Sequence, residues 1–351
     1  MFPLFFLSIG FSALISFIIT PLVRNFFVSK SWVEDPQIKQ LKTGNATASS
    51  PAPRGGGIPI FLSFMLTSLI LLPSDRHLLS IIFAAFVALV VGVIDDIRDL
   101  KPSLRFLFNI VVALIVVSSG IGIAYLSNPF GGVIDLSQPQ LHFNFFGPRN
   151  IWLLADLFAV FWIVWCSNIV GWSAGVEGQL PGFVVIAAIV IGILGLNHSQ
   201  DISQWPVIVL AGATSGAYLG FLPLNFFPQT IQPGYSGKSL AGFLLAVLSI
   251  LSGAKVATLI LVLGIPMLDA VFVLLRRIIR HRSLLRPNAI HLHHHLLKLG
   301  WSRPRIAITY WLLSFMLGAV SLLLNSQQKF YAFLGLFFLF GGIVIQLYRR
   351  T

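Results

Sequence analysis

LLSIIFAAFVALVVGVIDDIRDL, residues 78–100, runs for 17 residues with one hydroxyl and no charge, then delivers Asp95, Asp96 and Asp99 within five positions. An apolar run of about that length crosses the hydrocarbon layer of a bilayer as a helix, and the acids fall where such a helix has to end. Similar runs recur at about 56–73, 105–126, 151–170, 180–196, 206–226, 239–252, 256–275, 306–324 and 330–348. The N-terminal MFPLFFLSIGFSALISFIITPLVR, residues 1–24, has no basic residue before its apolar stretch and no small-residue cleavage site after it, so it reads as a retained first helix. The expectation is an all-α, polytopic membrane bundle of about 11 transmembrane helices, with residues 1–351 forming one domain.

Composition agrees. Of 351 residues 56% are apolar, and only 23 Lys and Arg and 11 Asp and Glu are present, whereas a soluble domain is about a quarter charged. Mean hydropathy is +0.89. The formal charge of +12 has no soluble module to present it, which argues against a nucleic-acid partner. Its distribution is better read as topology: 19 of the 23 basic residues fall in the loops that follow odd-numbered helices and at the C-terminus. By the positive-inside rule that side is cytoplasmic, the N-terminus lies outside, and the protein is a multi-pass protein of the plasma membrane. The cytoplasmic loops are then about 25–55, 95–105, 171–180, 227–238 and 276–305. The one cysteine, Cys166, sits inside an apolar run and reads as packing.

The rare acids carry more information. A carboxylate at the membrane costs enough that those kept at helix ends are functional candidates, here Asp95, Asp96, Glu177 and Asp269. Asp95, Asp96 and Asp99 share one helix face within about a turn, so a divalent metal, a basic partner or a raised pKa is implied; a solvated turn paired with Arg98, Lys101 and Arg105 is the plainer alternative. RSLLRPNAIHLHHHLLKLGWSRPRI, residues 282–306, packs His291, His293, His294 and His295 into five positions among arginines. Such donors suit phosphate; a transition-metal tract and a topology-fixing basic loop are the other readings. Two Gly-rich stretches, 168–183 with Glu177 and 221–243 with Asn225, Tyr235 and Lys238, permit close backbone approach to a ligand or simply tight turns.

In order along the chain, PAPRGGGIPI (51–60), VIDDIRDL (93–100), WIVWCSNIVGWSAGVEGQLPG (162–182), YLGFLPLNF (218–226), IPMLDAVFVLLRR (265–277) and HLHHHLLKLGWS (291–302) resemble the polyprenyl-phosphate N-acetylhexosamine-1-phosphate transferases, in particular the UDP-N-acetylglucosamine branch. The resemblance implies a magnesium-dependent enzyme, with manganese as the substitute, at the cytoplasmic membrane face. It would move a sugar 1-phosphate from a UDP-N-acetylhexosamine to polyprenyl phosphate, release UMP and start a lipid-linked envelope glycan, possible assembly being a homodimer. Carried over by position, Asp95 and Asp96 are catalytic; Asp99, Asn168, Asn225, Lys238, Asp269, His291, His293 and His294 bind substrate; Asp96 and Glu177 hold metal. The chain departs from the family phrases at Gly171, Ala174, Tyr235 and Asn288, where polar or acidic residues are usual. Two outcomes stay open. Either the remaining acids hold the metal in altered geometry with Lys238 taking part of its role, or the chain is an inactive homologue that binds lipid phosphate or nucleotide as a membrane scaffold. Transport of a small anion is disfavoured by the apolar mid-span positions and the lack of a repeat.

Overall fold

A computed structural model describes residues 1–43, 48–144, 148–253, 255–281 and 291–350. Arg282, Arg286 and Asn288, and part of the expected loops 25–55 and 276–305, lie outside the described residues. In chain order the elements are α1 (Phe2–Ser29), β1 (Val33–Glu34), α2 (Pro36–Thr43), β2 (Ala52–Pro53), α3 (Gly57–Leu71), α4 (Arg76–Arg98) and α5 (Pro102–Val117). Four short strands follow, β3 (Tyr125–Ser127), β4 (Val133–Asp135), β5 (Gln140–Asn144) and β6 (Pro148–Trp152). Then come α6 (Leu153–Trp172), α7 (Gln179–Asn197), a 3-10 turn at Ile202–Gln204, α8 (Trp205–Asn225), α9 (Gly234–Leu251), α10 (Val256–Val262), α11 (Gly264–Ile279), α12 (Leu292–Lys298), α13 (Arg303–Leu323) and α14 (Ser326–Arg350).

Among the described residues eight helices are long and apolar enough to cross a membrane, or nine if α10 and α11, bent by 85° at their junction, form one span. Two further apolar helices, Gly57–Leu71 and Pro102–Val117, are shorter. The chain is thus a polytopic helical bundle. Helices α7, α8 and α9 are largely buried at its centre, and α1 and α14 face outward. One large apolar core joins α3 to α9, and a second, smaller cluster joins α11, α13 and α14.

Helix ends follow the local chemistry. Asp75 caps α4 by accepting from the Leu78 amide at 2.7 Å, and Asp99 closes it in a left-handed conformation, φ 53°. Pro102 opens α5 at a position whose amide needs no helical partner. Along the α1–α8 seam, small residues let two backbones meet closely: Ser12 and Ser16 donate to the Ala213 and Ala217 carbonyls, each at 2.7 Å.

Three expectations need correction. The run at 105–126 does not stay helical: α5 stops at Val117, where Ser118, Ser119 and the left-handed Gly120 break the ladder. Beyond it β3 pairs antiparallel with β4 and β5 with β6, and β1 pairs with β2, so the mostly helical bundle carries three short strand pairs. The run at 256–275 is broken near Leu263. The loop expected at 227–238 ends early, because α9 begins at Gly234 and carries Tyr235 and Lys238 on its first turns.

Candidate active site

The connections that follow α1, α4, α6, α8 and α11 open onto one cavity of about 990 Å³. Asp96, Asp99, Asn168, Glu177, Asn225, Lys238, His291, His293 and His294 line it, while Asp95 and Asp269 stand behind its walls. Motifs separated by up to 200 residues therefore meet in one place.

The acid wall is organised by an arginine that the sequence reading had left unassigned. Arg54 lies within 4 Å of four carboxylates: Nη1 is 3.4 Å from Glu34 Oε2 and 3.9 Å from Asp99 Oδ1, Nη2 is 3.5 Å from Asp95 Oδ2, and Nε is 3.4 Å from Asp96 Oδ1. Burial alone would lower the pKa of Arg54, but Asp96, Glu34 and the other acids raise it above its ordinary value. Burial likewise pushes Glu34 up, and Arg54 with Lys39, 2.8 Å away, more than offsets that and holds it below the usual carboxylate range.

Asp95 is fully buried. Its Oδ1 accepts from Arg105 Nε at 2.5 Å and from the Leu100 amide at 3.0 Å, so it pins the α4–α5 turn. Asp99 accepts from Arg105 Nη2 at 2.6 Å. Asp96 reaches across to α9, where its Oδ1 accepts from the Tyr235 amide at 2.5 Å and its Oδ2 from Ser236 Oγ at 2.6 Å and the Ser236 amide at 3.3 Å. It serves as a long-range cap for the positive end of α9, which has no side-chain cap of its own. That approach needs glycine at 234: φ is +67°, and a Cβ there would overlap the Arg54 carbonyl and the Asp96 carboxylate.

The opposite wall carries the histidines. His291 donates from Nδ1 to Asp269 Oδ2 at 2.8 Å, and the Leu292 amide donates to Asp269 Oδ1 at 2.8 Å. Asp269 thus fixes one imidazole and caps α12 at once. The His291 and His293 rings stack at 5.6 Å, and His294 lies 4.3 Å from His293. Burial, then the neighbouring imidazoles His294 and His291, hold His293 well below the ordinary histidine pKa. Burial and then His291 push His294 down to about 4. Both are neutral donors or acceptors near pH 7. A Cβ at Gly175 would overlap the His293 ring, so this glycine lets the 173–178 turn close over the histidines.

The remaining predicted residues have distinct placements. Asn225 is buried and fully engaged: its Oδ1 accepts from the Gly178 amide at 3.1 Å, and its Nδ2 donates to the Ile231 carbonyl at 2.9 Å and to Gln229 Oε1 at 3.2 Å. It ties two connections together. Asn168 donates back to the Val164 carbonyl of its own helix at 2.8 Å. Among the described residues Lys238 Nζ donates to the Ala174 carbonyl, at 3.5 Å, and its stem passes over Gly171, where an added Cβ would make ordinary contact at 3.8 Å.

The expected pairing of Asp96 and Glu177 at a metal is not what the geometry provides. Both oxygens of Asp96 are taken by α9, and Glu177 accepts from the Ser49 amide at 2.7 Å and faces Arg303 Nε at 3.4 Å. Among the described residues no three acidic, histidine or cysteine side chains are grouped so as to hold a metal ion. A magnesium ion prefers octahedral oxygen ligation; here, among the described residues, the buried carboxylate oxygens without a hydrogen bond, Asp95 Oδ2 and Glu177 Oε2, each face a guanidinium.

Comparison with known proteins gives this arrangement a lineage. A family model described as glycosyl transferase family 4 matches residues 78–253, half of the chain. The chain belongs to glycosyl transferase family 4. Over 340 residues, 95% of its length, it is 27% identical to a protein of Bacillus subtilis (strain 168) named probable undecaprenyl-phosphate N-acetylglucosaminyl 1-phosphate transferase, covering 87% of that protein. It is 28% identical to the decaprenyl-phosphate N-acetylglucosaminephosphotransferase of Mycobacterium leprae (strain TN), with 86% of this chain and 81% of the relative covered. It is 27% identical to a phospho-N-acetylmuramoyl-pentapeptide-transferase of Bacillus licheniformis, with 91% and 96% covered. Within this family 4 chain, Arg54 and Glu34 are the site residues that sequence reasoning missed, whereas Arg105 pairs with Asp95 and Asp99 as the plainer reading of that turn expected. The only signal for Arg54 was its place just before three glycines, and those glycines bring it against α8 and α9.

Proposed function

We propose that this family 4 protein transfers N-acetylhexosamine 1-phosphate from a UDP-sugar to polyprenyl phosphate, releasing UMP and beginning a lipid-linked glycan of the cell envelope. The observation that carries this reading is the convergence of five inter-helix connections on one charged cavity at the ends of apolar helices. A water-soluble sugar nucleotide and a membrane-held phosphate have to meet at such a boundary. The names of relatives covering nearly the whole chain support the same reaction.

In this reaction an oxygen of the lipid phosphate bonds to the phosphorus that bears the sugar. The bond from that phosphorus to the bridging oxygen breaks, and the electron pair leaves with UMP. Two anions must approach, so fixed positive charge and neutral N–H donors at the site favour the step. Arg54 and Lys238 supply charge, and His291, whose Nδ1–H is held by Asp269, presents Nε2 as an acceptor for a hydroxyl or amide of the sugar. Asp96 and Asp95 act through others, Asp96 by fixing the start of α9 and both by holding Arg54 in position.

In the proposed topology the two shorter apolar helices and the bent α10–α11 pair also cross, giving 11 spans. The connections that meet at the cavity are those carrying the excess of Lys and Arg, which supports a cytoplasmic site with the N-terminus outside. Residues 1–351 then act as one transferase unit in the plasma membrane. The test is UMP release from UDP-N-acetylglucosamine by the purified protein in vesicles containing undecaprenyl phosphate. Release that depends on the lipid phosphate supports the proposal; no release above background with a panel of UDP-N-acetylhexosamines overturns it in favour of a lipid-binding scaffold.

A further inference from the structure

Much of the charge around the cavity is matched pair by pair. Arg54 faces Glu34, Asp95, Asp96 and Asp99; Arg105 faces Asp95 and Asp99; Lys39 faces Glu34; Arg303 faces Glu177, all within 4 Å. Lys101 and Lys238 line the same cavity and, among the described residues, have no carboxylate within that distance; of the two Lys101 is exposed at the α4–α5 turn while Lys238 is not. Lys238 thus has no acidic counterpart at contact distance. It stands in the second turn from the positive end of α9, and its stem crosses Gly171 and ends at a backbone carbonyl. An anion in the cavity would supply that counterpart.

The acids, by contrast, already face cations: Asp95 Oδ2 and Glu177 Oε2 make no hydrogen bond, but each lies within 4 Å of a guanidinium. Asp96 is saturated by α9, and Asp95, Asp99 and Glu177 each have a guanidinium within 4 Å. A divalent ion placed among them would sit against those guanidiniums and would have to displace existing donors.

Resting on the transferase reading above, we propose that Lys238 is the residue that receives the diphosphate of the sugar nucleotide, and that this protein binds its nucleotide and turns it over without a divalent metal. The Lys238 ammonium, which keeps its proton throughout, offsets the charge that collects on the bridging oxygen as UMP leaves. Tyr235, one turn earlier on α9, is held by its hydroxyl to Asn109 Oδ1 and the Arg105 carbonyl, each at 3.3 Å, and lies under the Arg105 guanidinium. It therefore packs the acid wall and leaves the ligand to Lys238.

The experiment uses the full-length protein in detergent or nanodiscs, with UDP-N-acetylglucosamine and UMP as probes. Binding is followed by calorimetry and turnover by UMP release, each in EDTA and in excess Mg²⁺ or Mn²⁺. Affinity and turnover are expected to agree within about twofold across these conditions. Lys238→Gln should weaken binding by at least about tenfold in both, as loss of a charge-assisted contact does, and Lys238→Arg should keep most of it. Thermal melting checks that the variants fold; if Lys238→Gln does not, the wild-type comparison in EDTA decides alone. Nucleotide binding or UMP release that requires Mg²⁺ or Mn²⁺ overturns the proposal while leaving the transferase reading intact. So does a folded Lys238→Gln that binds like wild type. If no nucleotide binds under any condition, both fall together.

Discussion

On one wall of the cavity Asp95, Asp96 and Asp99 share Arg54 and Arg105, and the cluster joins the β2–α3 connection to α4, α5 and α9. On the other wall Asp269 alone orients His291 and caps α12, and the imidazoles beside it stay neutral. The first arrangement couples site geometry to the packing of four elements, since removing any carboxylate leaves a buried guanidinium with less to face. The second ties the start of α12 to α11 through Asp269 and leaves the packing of α4, α5 and α9 untouched. Catalysis and stability should therefore fail together on the acid wall and separately on the histidine wall.

The sharpest way to break that contrast is Asp96→Ala. It removes the cap of α9 and one partner of Arg54, a loss of about 3–5 kcal/mol when a buried pair is broken one-sidedly. UMP release should fall at least about 10³-fold, with a clear drop in melting temperature. A variant that melts like wild type would show that the acid wall does not brace the fold. Next in size is Asp269→Asn, which keeps an acceptor for the Leu292 amide but no longer fixes the His291 tautomer. A reduction in UMP release of about 10–100-fold, as for loss of an orienting partner, with nearly unchanged melting is expected. Equal losses in both measurements would erase the distinction between the walls.

A smaller effect lies in pH. His294 is pushed down to about 4 in the folded protein, below the ordinary value near 6.5. A depressed histidine favours the folded state fully above the unfolded pKa, and that contribution is lost as pH falls from about 6.5 through 4. Wild type should thus melt at lower temperature at pH 5 than at pH 7.5, and His294→Gln should flatten the difference. An unchanged pH slope in that variant would remove His294 as its source. The smallest effect is Lys39→Met, because Lys39 is a partly exposed partner of Glu34, which keeps Arg54. A change below about 1 kcal/mol in stability and little change in UMP release are expected, and a larger loss would extend the acid wall out to α2.

The membrane class, the acidic motif and the histidine motif were legible because each rests on a local rule: run length, scarcity of charge, and clustering. Arg54 was not, since an arginine in a basic loop looks like a topology signal until Asp96 is seen across from it. Asn225 illustrates the reverse. Its motif pointed to the nucleotide, yet its hydrogen bonds are consumed by Gly178, Gln229 and Ile231, a tertiary fact with no trace in spacing. The paired strands β3 to β6 were hidden by an apolar stretch that continues past the helix it belongs to, although Gly131 and Gly132, both with positive φ, mark the β3–β4 turn. The start of α9 at Gly234 was obscured because its cap comes from Asp96, 139 residues before Tyr235 in the chain.

The serine contacts between α1 and α8 also bear on biosynthesis. Ser12 and Ser16 find their carbonyl partners 201 residues later in the chain. At about 5–20 residues per second of synthesis, the first helix waits roughly 10–40 s in the bilayer before α8 emerges to receive it. Until then the segment leading to Arg54 has neither α8 nor α9 to rest on, so the charged cavity comes together only late in translation. Substitutions along this seam should then be read first in the yield of inserted protein and only afterwards in the chemistry of the site.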